Sequence, residues 1–532
     1  MLEIQAWFTI YQDLSLRILM ENLITILIYT AIIIGISYIA KLKARSHADF
    51  IIGGRKNSGP MTALAAGTSD MSNWLMMSLP ALVFVQGLRS IWLPLALFMG
   101  AYLNWILVAP RLRAFTACLD ALTLPDYFSK RFGEQGHGIK VLLAVSICIF
   151  FTLYAGASFL GGAMLCEHLF GLSYFNSLVL CSSFVLIYTI LGGFVAVTWI
   201  DFFQGILMFV AILSVPIFTF YSLKSGFSLP NSISTDAYLN LFHDFSWIHI
   251  VSCLAWGFGY FGQFHIAVRF MAIKSLDELP SARRICSVWM FFALFGAVLI
   301  GFFAKIFYEG ASLEKPEMLF MQLSSEVFNP WIAAWMFSAV LSAIMSSASA
   351  QLLLAASSLT EDILAPLLPA TLCKHQLKLS RLGLIIVSAV SFLIAYNPKS
   401  SIFDYVGIAW AGIGASFGPL MLFSLYWDKL SYKGALFGVI SGTATVLMTE
   451  AIVRLWDFHD ALSGFSLIPG FIVSCLVIYM IGTVQSKAGA SDAEMVVFTR
   501  IKRDYWQQLS ALDRNSEVVI ESKCSTTVSK FS

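Results

Sequence analysis

Long apolar segments separated by short polar loops dominate this sequence and limit what it can fold into. A helix that crosses a bilayer needs about 20 mostly apolar residues, and the chain holds about thirteen such segments. Their centres lie near residues 31, 75, 101, 152, 184, 209, 259, 296, 343, 388, 415, 442 and 475. Only 12% of the 532 residues are charged, about half the share in a soluble chain. The sequence therefore predicts an all-α polytopic membrane protein. A net charge of +2 offers no basic face to nucleic acid.

Lysine and arginine concentrate in alternate loops, and this bias sets the orientation of membrane spans. The loops after spans 1, 3, 7, 9 and 11 are rich in them, whereas the opposite loops hold few. The alternation predicts an N-terminus outside the cell and a C-terminus in the cytoplasm. Residues 1–485 would form the transmembrane domain. Residues 486–532 would form a polar cytoplasmic tail, too short for an ordinary catalytic or signalling domain.

The second span is interrupted at its centre by small and polar residues, in the string Gly67-Thr68-Ser69-Asp70-Met71-Ser72-Asn73. Asp70 lies about ten residues into the span, or about 15 Å deep at 1.5 Å per residue. An ionised aspartate there costs about 2.5–3.5 kcal/mol. Broken backbone is tolerated in a membrane only where it lines a cavity or is buried in protein. One alternative is a helix-packing patch in which Asp70 bonds a neighbouring helix, but the aspartate favours a site that handles an ion.

Span 7 is weakened at its middle by three glycines in six residues, Gly257, Gly259 and Gly262. Trp256, Tyr260 and Phe264 recur every four residues, so an unbroken helix would place them on one face. Such a stripe is typical of aromatic packing. The intervening glycines instead favour an aromatic-walled pocket beside broken backbone.

The two interrupted spans are five helices apart, which indicates a five-helix repeat whose second copy is inverted. Broken helices at matching positions of two inverted halves indicate the midplane site of a secondary transporter. The repeats would cover about 60–222 (spans 2–6) and about 246–427 (spans 7–11). A channel needs no such pair. A membrane enzyme would need a nucleophile–base set or a metal cluster, and the eight histidines show no HExxH spacing.

Span 9 carries a stripe of serines, Ser338, Ser342, Ser346 and Ser349. Stripes of small residues normally allow close helix packing. The adjacent hydroxyls of Ser346 and Ser347 could also bind sodium, because a hard cation prefers oxygen ligands. Asp201, near the start of span 6, could either gate the pathway or be solvated at the interface.

Nine strings, in order over about residues 50–482, resemble the sodium:solute symporter family: IIGGR (51–55), ALAAGTSDMSNWL (63–75), LTLPDYFSKRF (122–132), FFTLYAG (150–156), GGFVAVTWID (192–201), WGFGYFGQ (256–263), ARR (282–284), SSLTEDIL (357–364) and AWAGIGASFGP (409–419). The resemblance implies a leucine-transporter-type fold in a bacterial inner membrane. It also implies a monomer that imports L-proline with Na⁺ by alternating access and is not an enzyme. The alternatives are sodium symport of another amino acid or pantothenate, and a solute sensor that does not transport.

The resemblance also implies roles for individual residues. The sodium ligands would be the carbonyls of Thr68, Met71 and Ala343 and the hydroxyls of Ser346 and Ser347. The substrate would contact Tyr154, Trp256, Tyr260, Phe264, Ser72 and Asn73. Coupling and gating would involve Asp70, Arg55 and Asp201.

Three positions depart from the pattern of the family's proline carriers. Ser347 replaces a threonine and keeps the hydroxyl. Phe264 replaces a proline, and Asn73 replaces a glycine. The last two lie beside the expected pocket, so Phe264 would reshape it and Asn73 would add an amide to it.

Overall fold

The structure, a computed structural model, is built from helices joined by short turns. The described residues are 2–43, 46–223, 238–242, 247–310, 312–368, 376–397, 402–455 and 466–487, with 499 and 503. Every regular element in these ranges is a helix, as predicted. Ten helical stretches among them are long and apolar enough to cross a membrane by length and composition. All thirteen predicted centres fall in helices or helical turns, while the exact number of spans and the positions of the termini remain predictions. Most of the predicted tail, 486–532, lies outside the described residues.

In the described ranges, the helices of the first half are α1 (Leu2–Lys43), α2 (His47–Ile52), α3 (Gly59–Asp70), α4 (Leu79–Gln86), α5 (Trp92–Leu107), α6 (Ala109–Cys118), α7 (Leu124–Arg131), α8 (His137–Phe170) and α9 (Tyr174–Ser222). Those of the second half are α10 (Trp247–Gly259), α11 (Phe264–Ala272), α12 (Glu278–Phe307), α13 (Leu319–Val327), α14 (Pro330–Ser357), α15 (Gln376–Tyr396), α16 (Ile402–Tyr426), α17 (Tyr432–Leu455) and α18 (Leu467–Lys487).

Capping residues set where several of these helices begin. The Thr123 side chain accepts a hydrogen bond from the backbone N–H of Asp126 at the start of α7. Asn329 does the same with Ile332 at the start of α14, where Pro330 is the first helical residue. Side-chain oxygens at these positions satisfy backbone N–H groups that have no partner within the helix, and a proline there loses no hydrogen bond.

Helix α9 contains both predicted spans 5 and 6. Its 49 residues would extend about 73 Å at 1.5 Å per residue, more than twice the roughly 30 Å hydrocarbon core. Gly193, with φ 56° and ψ −146°, kinks the helix between the two spans. A Cβ at this position would overlap the ring of Phe50, so the kink requires glycine. The two spans are therefore joined by a kink without an intervening loop.

Helix α14 is the central element of the bundle. Every residue from Met336 to Ser357 is buried, and the helix packs against α1, α8, α9 and α15. The Ser342 hydroxyl lies 2.9 Å from that of Tyr29 in α1, and Gln204 of α9 donates to the same tyrosine oxygen at 2.7 Å. This part of the serine stripe serves helix packing.

Candidate functional site

The first interruption lies between α3 and α4, where the sequence predicts it. Helix α3 ends at Asp70, and Met71 leaves the helical region with φ −79° and ψ 75°. The helix resumes as a π-helical turn, Trp74–Ser78, before α4. The freed Asp70 carbonyl accepts hydrogen bonds from the Ser72 N–H at 2.9 Å and the Trp74 indole at 3.1 Å. The backbone is thus open at Met71 and Ser72, inside the protein rather than in lipid.

The second interruption lies between α10 and α11. A 3₁₀ turn, Tyr260–Gly262, follows α10, and Gln263 is non-helical with φ −73° and ψ 90°. Close packing explains why glycines occupy this segment. A Cβ on Gly259 would overlap the Trp410 indole, and a Cβ on Gly262 would clash with the backbone of α16. The predicted broken backbone in span 7 is therefore confirmed.

A hydrogen bond between buried side chains joins the two interruptions. The Tyr260 hydroxyl donates to Asp70 Oδ2 at 2.5 Å, and the two residues are 2% and 1% exposed. The other carboxylate oxygen of Asp70 has no hydrogen-bond partner among the described residues. Asp70 does bond a neighbouring helix, and that neighbour is the other broken helix.

Trp256 and Tyr260 form an aromatic wall together with Trp410 of α16. The Trp256 and Trp410 rings stack at 6.1 Å with 26° between their planes, and Tyr260 meets Trp410 edge-on at 5.1 Å. The Trp410 indole N–H also donates to the Trp256 carbonyl at 3.0 Å. Sequence reasoning missed Trp410 as a site residue, although it lies in the string 409–419 that resembles the family.

Phe264 does not belong to this wall, so the alternative of one continuous aromatic stripe does not hold. The helix breaks between Tyr260 and Phe264, and the break rotates Phe264 away. Its ring stacks on Phe417 at 4.4 Å and lies 6.2 Å from Phe128. Phe264 therefore fills a separate aromatic layer that anchors the start of α11 to α16.

Asn73 and Tyr154 meet at the interface between the first interruption and α8. Tyr154 is buried beside Ser72. The Asn73 amide donates to the Ala157 carbonyl at 3.2 Å, and a Cβ on Gly161 would overlap the same amide. Residues 154, 157 and 161 share one helix face at helical spacing. Asn73 thus ties the unwound segment to α8, and Gly161 leaves the space for it.

The expected sodium ligands occupy the contact region of α3 and α14. The hydroxyls of Ser346 and Ser347 are buried, and that of Ser347 has no hydrogen-bond partner in the described part of the chain. The Thr68 hydroxyl lies 3.4 Å from the Asp201 carbonyl, and Ser346 lies beside the Asp201 carboxyl. Ala343 is buried one turn before these serines. Oxygen ligands without a strong fixed charge suit a hard monovalent cation.

Asp201 forms an ion pair that sequence reasoning did not foresee. It is completely buried, which excludes the alternative of an aspartate solvated at the interface. Arg269 of α11 donates to its Oδ2 at 2.8 Å and to the Thr198 hydroxyl at 2.8 Å. The sequence does contain one indication of this ion pair. Arg269 is a lone arginine in an apolar segment, and a charge inside a membrane requires a partner.

Arg55 lies in the tight turn between α2 and α3 and has a left-handed φ of 57°. Its guanidinium donates to the carbonyls of Thr116 and Ala121, each at 2.8 Å. Burial lowers the pKa of this guanidinium from its ordinary value. The contacts tie the turn before the first broken helix to the end of α6 and to the loop that follows it, which is a structural route for the expected role in coupling.

Comparisons with known proteins add independent findings. Residues 50–442 match the model of the sodium:solute symporter family. A sodium/proline symporter of Staphylococcus aureus is 40% identical over 480 residues, which cover 88% of this chain and 94% of that protein. The symporter of that name in S. aureus strain JH9 is also 40% identical, over 481 residues.

Two solved structures share the fold. A Na⁺-coupled sialic acid symporter, in a substrate-bound outward-open state, matches with a TM-score of 0.74 and 17% identity, covering 87% of this chain and 98% of that one. Mhp1, a nucleobase-cation-symport-1 family transporter in a closed conformation, matches with a TM-score of 0.53 and 14% identity, covering 84% and 97%.

Proposed function

The chain belongs to the sodium:solute symporter family, and from that premise we propose that it imports L-proline together with sodium by alternating access. The observation that carries the proposal is the meeting of two broken helices at the Asp70–Tyr260 hydrogen bond. Backbone interrupted at two facing positions provides carbonyl oxygens for a cation and half-helix N–H groups for an anion. The 40% identity to sodium/proline symporters supports the cargo and the ion.

In this proposal sodium binds between α3 and α14. Thr68, Met71 and Ala343 contribute carbonyl oxygens, and Ser346 and Ser347 contribute hydroxyls. The unpartnered hydroxyl of Ser347 supports the assignment, because buried polar groups in native proteins normally have a partner. An ion there joins the first broken helix, α3, to the central helix, α14, and stabilises the conformation in which these two helices are in contact.

The solute binds beside the aromatic wall. Its carboxylate meets the N–H groups at the start of a half-helix, where the partial charge is positive. Its apolar ring packs on Trp256, Tyr260 and Trp410. Tyr154 and Ser72 close the opposite side, and Asn73 borders it. This pocket of aromatic and small side chains fits a small zwitterion better than a sugar, whose hydroxyls would require several amide and charged side chains.

Alternating access requires contacts that close one end while the other is open. Asp362, after α14, accepts a hydrogen bond from Thr123 at 3.0 Å and pairs with Lys140 at 3.2 Å. Together with the Arg55 contacts, these bonds join α14, α8 and the 111–123 region at one end of the bundle. In the predicted topology this end is cytoplasmic, so we propose that it forms the inner gate.

We further propose that the N-terminus lies outside, the C-terminus lies in the cytoplasm, and one chain suffices for transport. The alternation of lysine and arginine between loops supports the orientation. Labelling of single cysteines from each side of oriented vesicles tests it.

The membrane potential supplies much of the driving force. Moving one positive charge down 100 mV releases about 2.3 kcal/mol, which supports roughly fifty-fold accumulation of the solute. The sodium concentration gradient adds to this.

The test is uptake of radiolabelled proline by proteoliposomes with and without an inward sodium gradient. We expect sodium-stimulated uptake that Asp70→Ala abolishes. Uptake undiminished by Asp70→Ala would overturn the role of the aspartate, and no sodium-stimulated uptake by the wild type would overturn the function. A panel of unlabelled amino acids and pantothenate as competitors identifies the preferred cargo.

A further inference from the structure

An open groove lies on the outside of the bundle, between the end of α5, the end of α16 and the second half of α18. It has room for about 460 Å³, more than ten times the roughly 30 Å³ that a water molecule occupies in the liquid. The groove is therefore large enough for a stretch of an extended apolar chain. The side chains that line it are Leu107, Leu422, Phe423, Tyr426, Trp427 and Tyr479.

Four of these six side chains are aromatic, and contacts within the protein hold them in place. The Trp427 ring stacks on Tyr479 at 5.6 Å with 23° between the planes, and Phe423 meets Trp427 edge-on at 5.2 Å. The Tyr426 hydroxyl donates to the Leu107 carbonyl at 2.9 Å. The groove is thus preformed.

The aromatic residues also indicate the depth of the groove in the membrane. Tryptophan and tyrosine concentrate where a span meets the lipid headgroups. Tyr426 is the last residue of α16 and Trp427 follows it, while Tyr426 and Tyr479 are 43% and 55% exposed. In the predicted topology α5, α16 and α18 all end on the cytoplasmic side. The groove would then open to the inner leaflet, at the boundary between acyl chains and headgroups.

Arg111 of α6 lies at the edge of the groove. The carbon of its guanidinium is 3.8 Å from the centre of the Tyr426 ring, and Nη1 donates to the Leu425 carbonyl at 3.0 Å. The cation–π contact and the hydrogen bond to the end of a helix both hold the guanidinium in this position. A positive charge is therefore fixed beside a ring that lines the groove.

Lys429 places a second positive charge on the α18 side. Its backbone carbonyl packs against Gly482, about one helical turn after Tyr479. Its side chain is exposed and forms no hydrogen bond or ion pair with a described residue. The neighbouring Asp428 is exposed as well, so Arg111, Asp428 and Lys429 together carry a net positive charge.

An apolar groove with cations at its polar end is complementary to an anionic phospholipid. Its acyl chain can pack on the aromatic rings, and its phosphate can accept hydrogen bonds from guanidinium and ammonium groups. The inner leaflet supplies anionic lipids. A zwitterionic lipid fits less well, because its own ammonium group cancels the charge of its phosphate.

We propose that this groove binds one anionic phospholipid, with an acyl chain against Trp427 and Tyr479 and the phosphate between Arg111 and Lys429. The proposal goes beyond the proposed function, because it involves neither the solute nor sodium. It is tested by lipid binding alone, so a failure of sodium-driven proline uptake leaves it standing.

Native mass spectrometry of the full-length protein in detergent tests the headgroup. The protein is titrated with phosphatidylglycerol or with phosphatidylcholine of the same acyl chains. We expect the first phosphatidylglycerol to bind about 25-fold more tightly, or about fivefold for each cation. Arg111→Gln combined with Lys429→Gln should remove this preference and leave phosphatidylcholine binding unchanged. Equal binding of the two lipids by the wild type would overturn the proposal.

Lys274→Gln combined with Arg284→Gln is the matched control. It also removes one lysine and one arginine from exposed positions, but neither residue lines the groove. The control should keep the preference for phosphatidylglycerol, and an equal loss in the control would overturn the site in favour of diffuse attraction. Where Arg111→Gln does not fold, which size-exclusion chromatography reveals, Lys429→Gln alone should weaken phosphatidylglycerol binding about fivefold. Unchanged affinity in that variant would also overturn the proposal.

Tryptophan quenching by phosphatidylglycerol brominated on its acyl chains locates the bound lipid. Trp427→Phe should remove part of the quenching seen in the wild type at one lipid per chain. Trp331→Phe, which removes another exposed tryptophan, should not. Equal quenching of the wild type and Trp427→Phe would place the lipid elsewhere and overturn the proposal. A lipid-free dimer that Trp427→Phe dissociates would overturn it too, with a second copy of the chain as the occupant.

Discussion

Arg269 and Asp201 form an ion pair of 2.8 Å in which the two side chains are 2% and 0% exposed. The pair joins α11, the second half of a broken helix, to α9. It also fixes Asp201 beside Thr68 and Ser346. This buried ion pair therefore connects the second broken helix, which carries Arg269, to the expected sodium ligands, which lie beside Asp201.

Arg269→Met should destabilise the protein by about 3–5 kcal/mol, because it leaves the Asp201 carboxylate buried without its partner. Thermal unfolding followed by size-exclusion chromatography in detergent measures the loss. Arg269→Met combined with Asp201→Leu should recover much of it, since both charges are then removed. Arg284→Met, at an exposed position of α12, is the control. Equal melting temperatures for Arg269→Met and the wild type would contradict this account.

Tyr260→Phe should weaken sodium-stimulated uptake while leaving the fold intact. The change removes the one hydroxyl that donates to Asp70. A hydrogen bond to a charged group contributes about 1.5–3 kcal/mol, so kcat/KM for the solute should fall about 10- to 150-fold. Tyr174→Phe, which removes a hydroxyl bonded to the Ala395 carbonyl, should transport normally. Wild-type kinetics in Tyr260→Phe would show that the bond has no role in transport.

Gly161→Ala should impair the protein in a way that depends on Asn73. The added methyl group would overlap the Asn73 amide, and overpacking of this kind costs about 1–3 kcal/mol. In an Asn73→Gly background the same methyl group has space, so the double variant should be more stable than Gly161→Ala alone. A double-mutant cycle of melting temperatures measures this coupling, and strictly additive effects would argue against the contact.

Phe264→Ala and Trp410→Leu should separate stability from solute recognition. Phe264 packs on Phe417, so its truncation should cost about 3–5 kcal/mol of stability with little change in the order of competing solutes. Trp410 backs Trp256 and Tyr260, so its loss should raise KM for the solute about tenfold or more. Competition assays and thermal unfolding of both variants make the comparison. A changed solute order in Phe264→Ala would place that ring in the pocket.

Much of the helical framework follows from the sequence, because a bilayer forces apolar segments of fixed length into helices. The two interruptions also follow from local chemistry: glycines and an aspartate in the middle of an apolar span contradict a continuous helix. Sequence identified Asp70 and Tyr260 individually for this reason. It could not show that they bond each other, because the contact joins residues 190 positions apart.

The contacts that sequence could not give have the same origin. Regular helical spacing would put Phe264 with Trp256 and Tyr260, but the break at Gln263 changes the direction of every side chain after it. The kink at Gly193 and the partner of Asp201 likewise depend on which helices pack together. Arg269 is visible in the sequence as a lone charge in an apolar segment, but only the packing of α11 and α16 identifies its partner and makes Trp410 part of the site.

The Asp70–Tyr260 bond also bears on how such a protein can evolve. An internal duplication begins with two identical halves, yet here one broken helix supplies the acceptor and the other the donor. Neither broken helix contains both the donor and the acceptor. A substitution of Asp70 therefore changes which residues selection tolerates at position 260, and the reverse also holds. In the five-helix repeat that the sequence predicts, the two broken helices would therefore occupy matching positions while they carry different side chains at their contact.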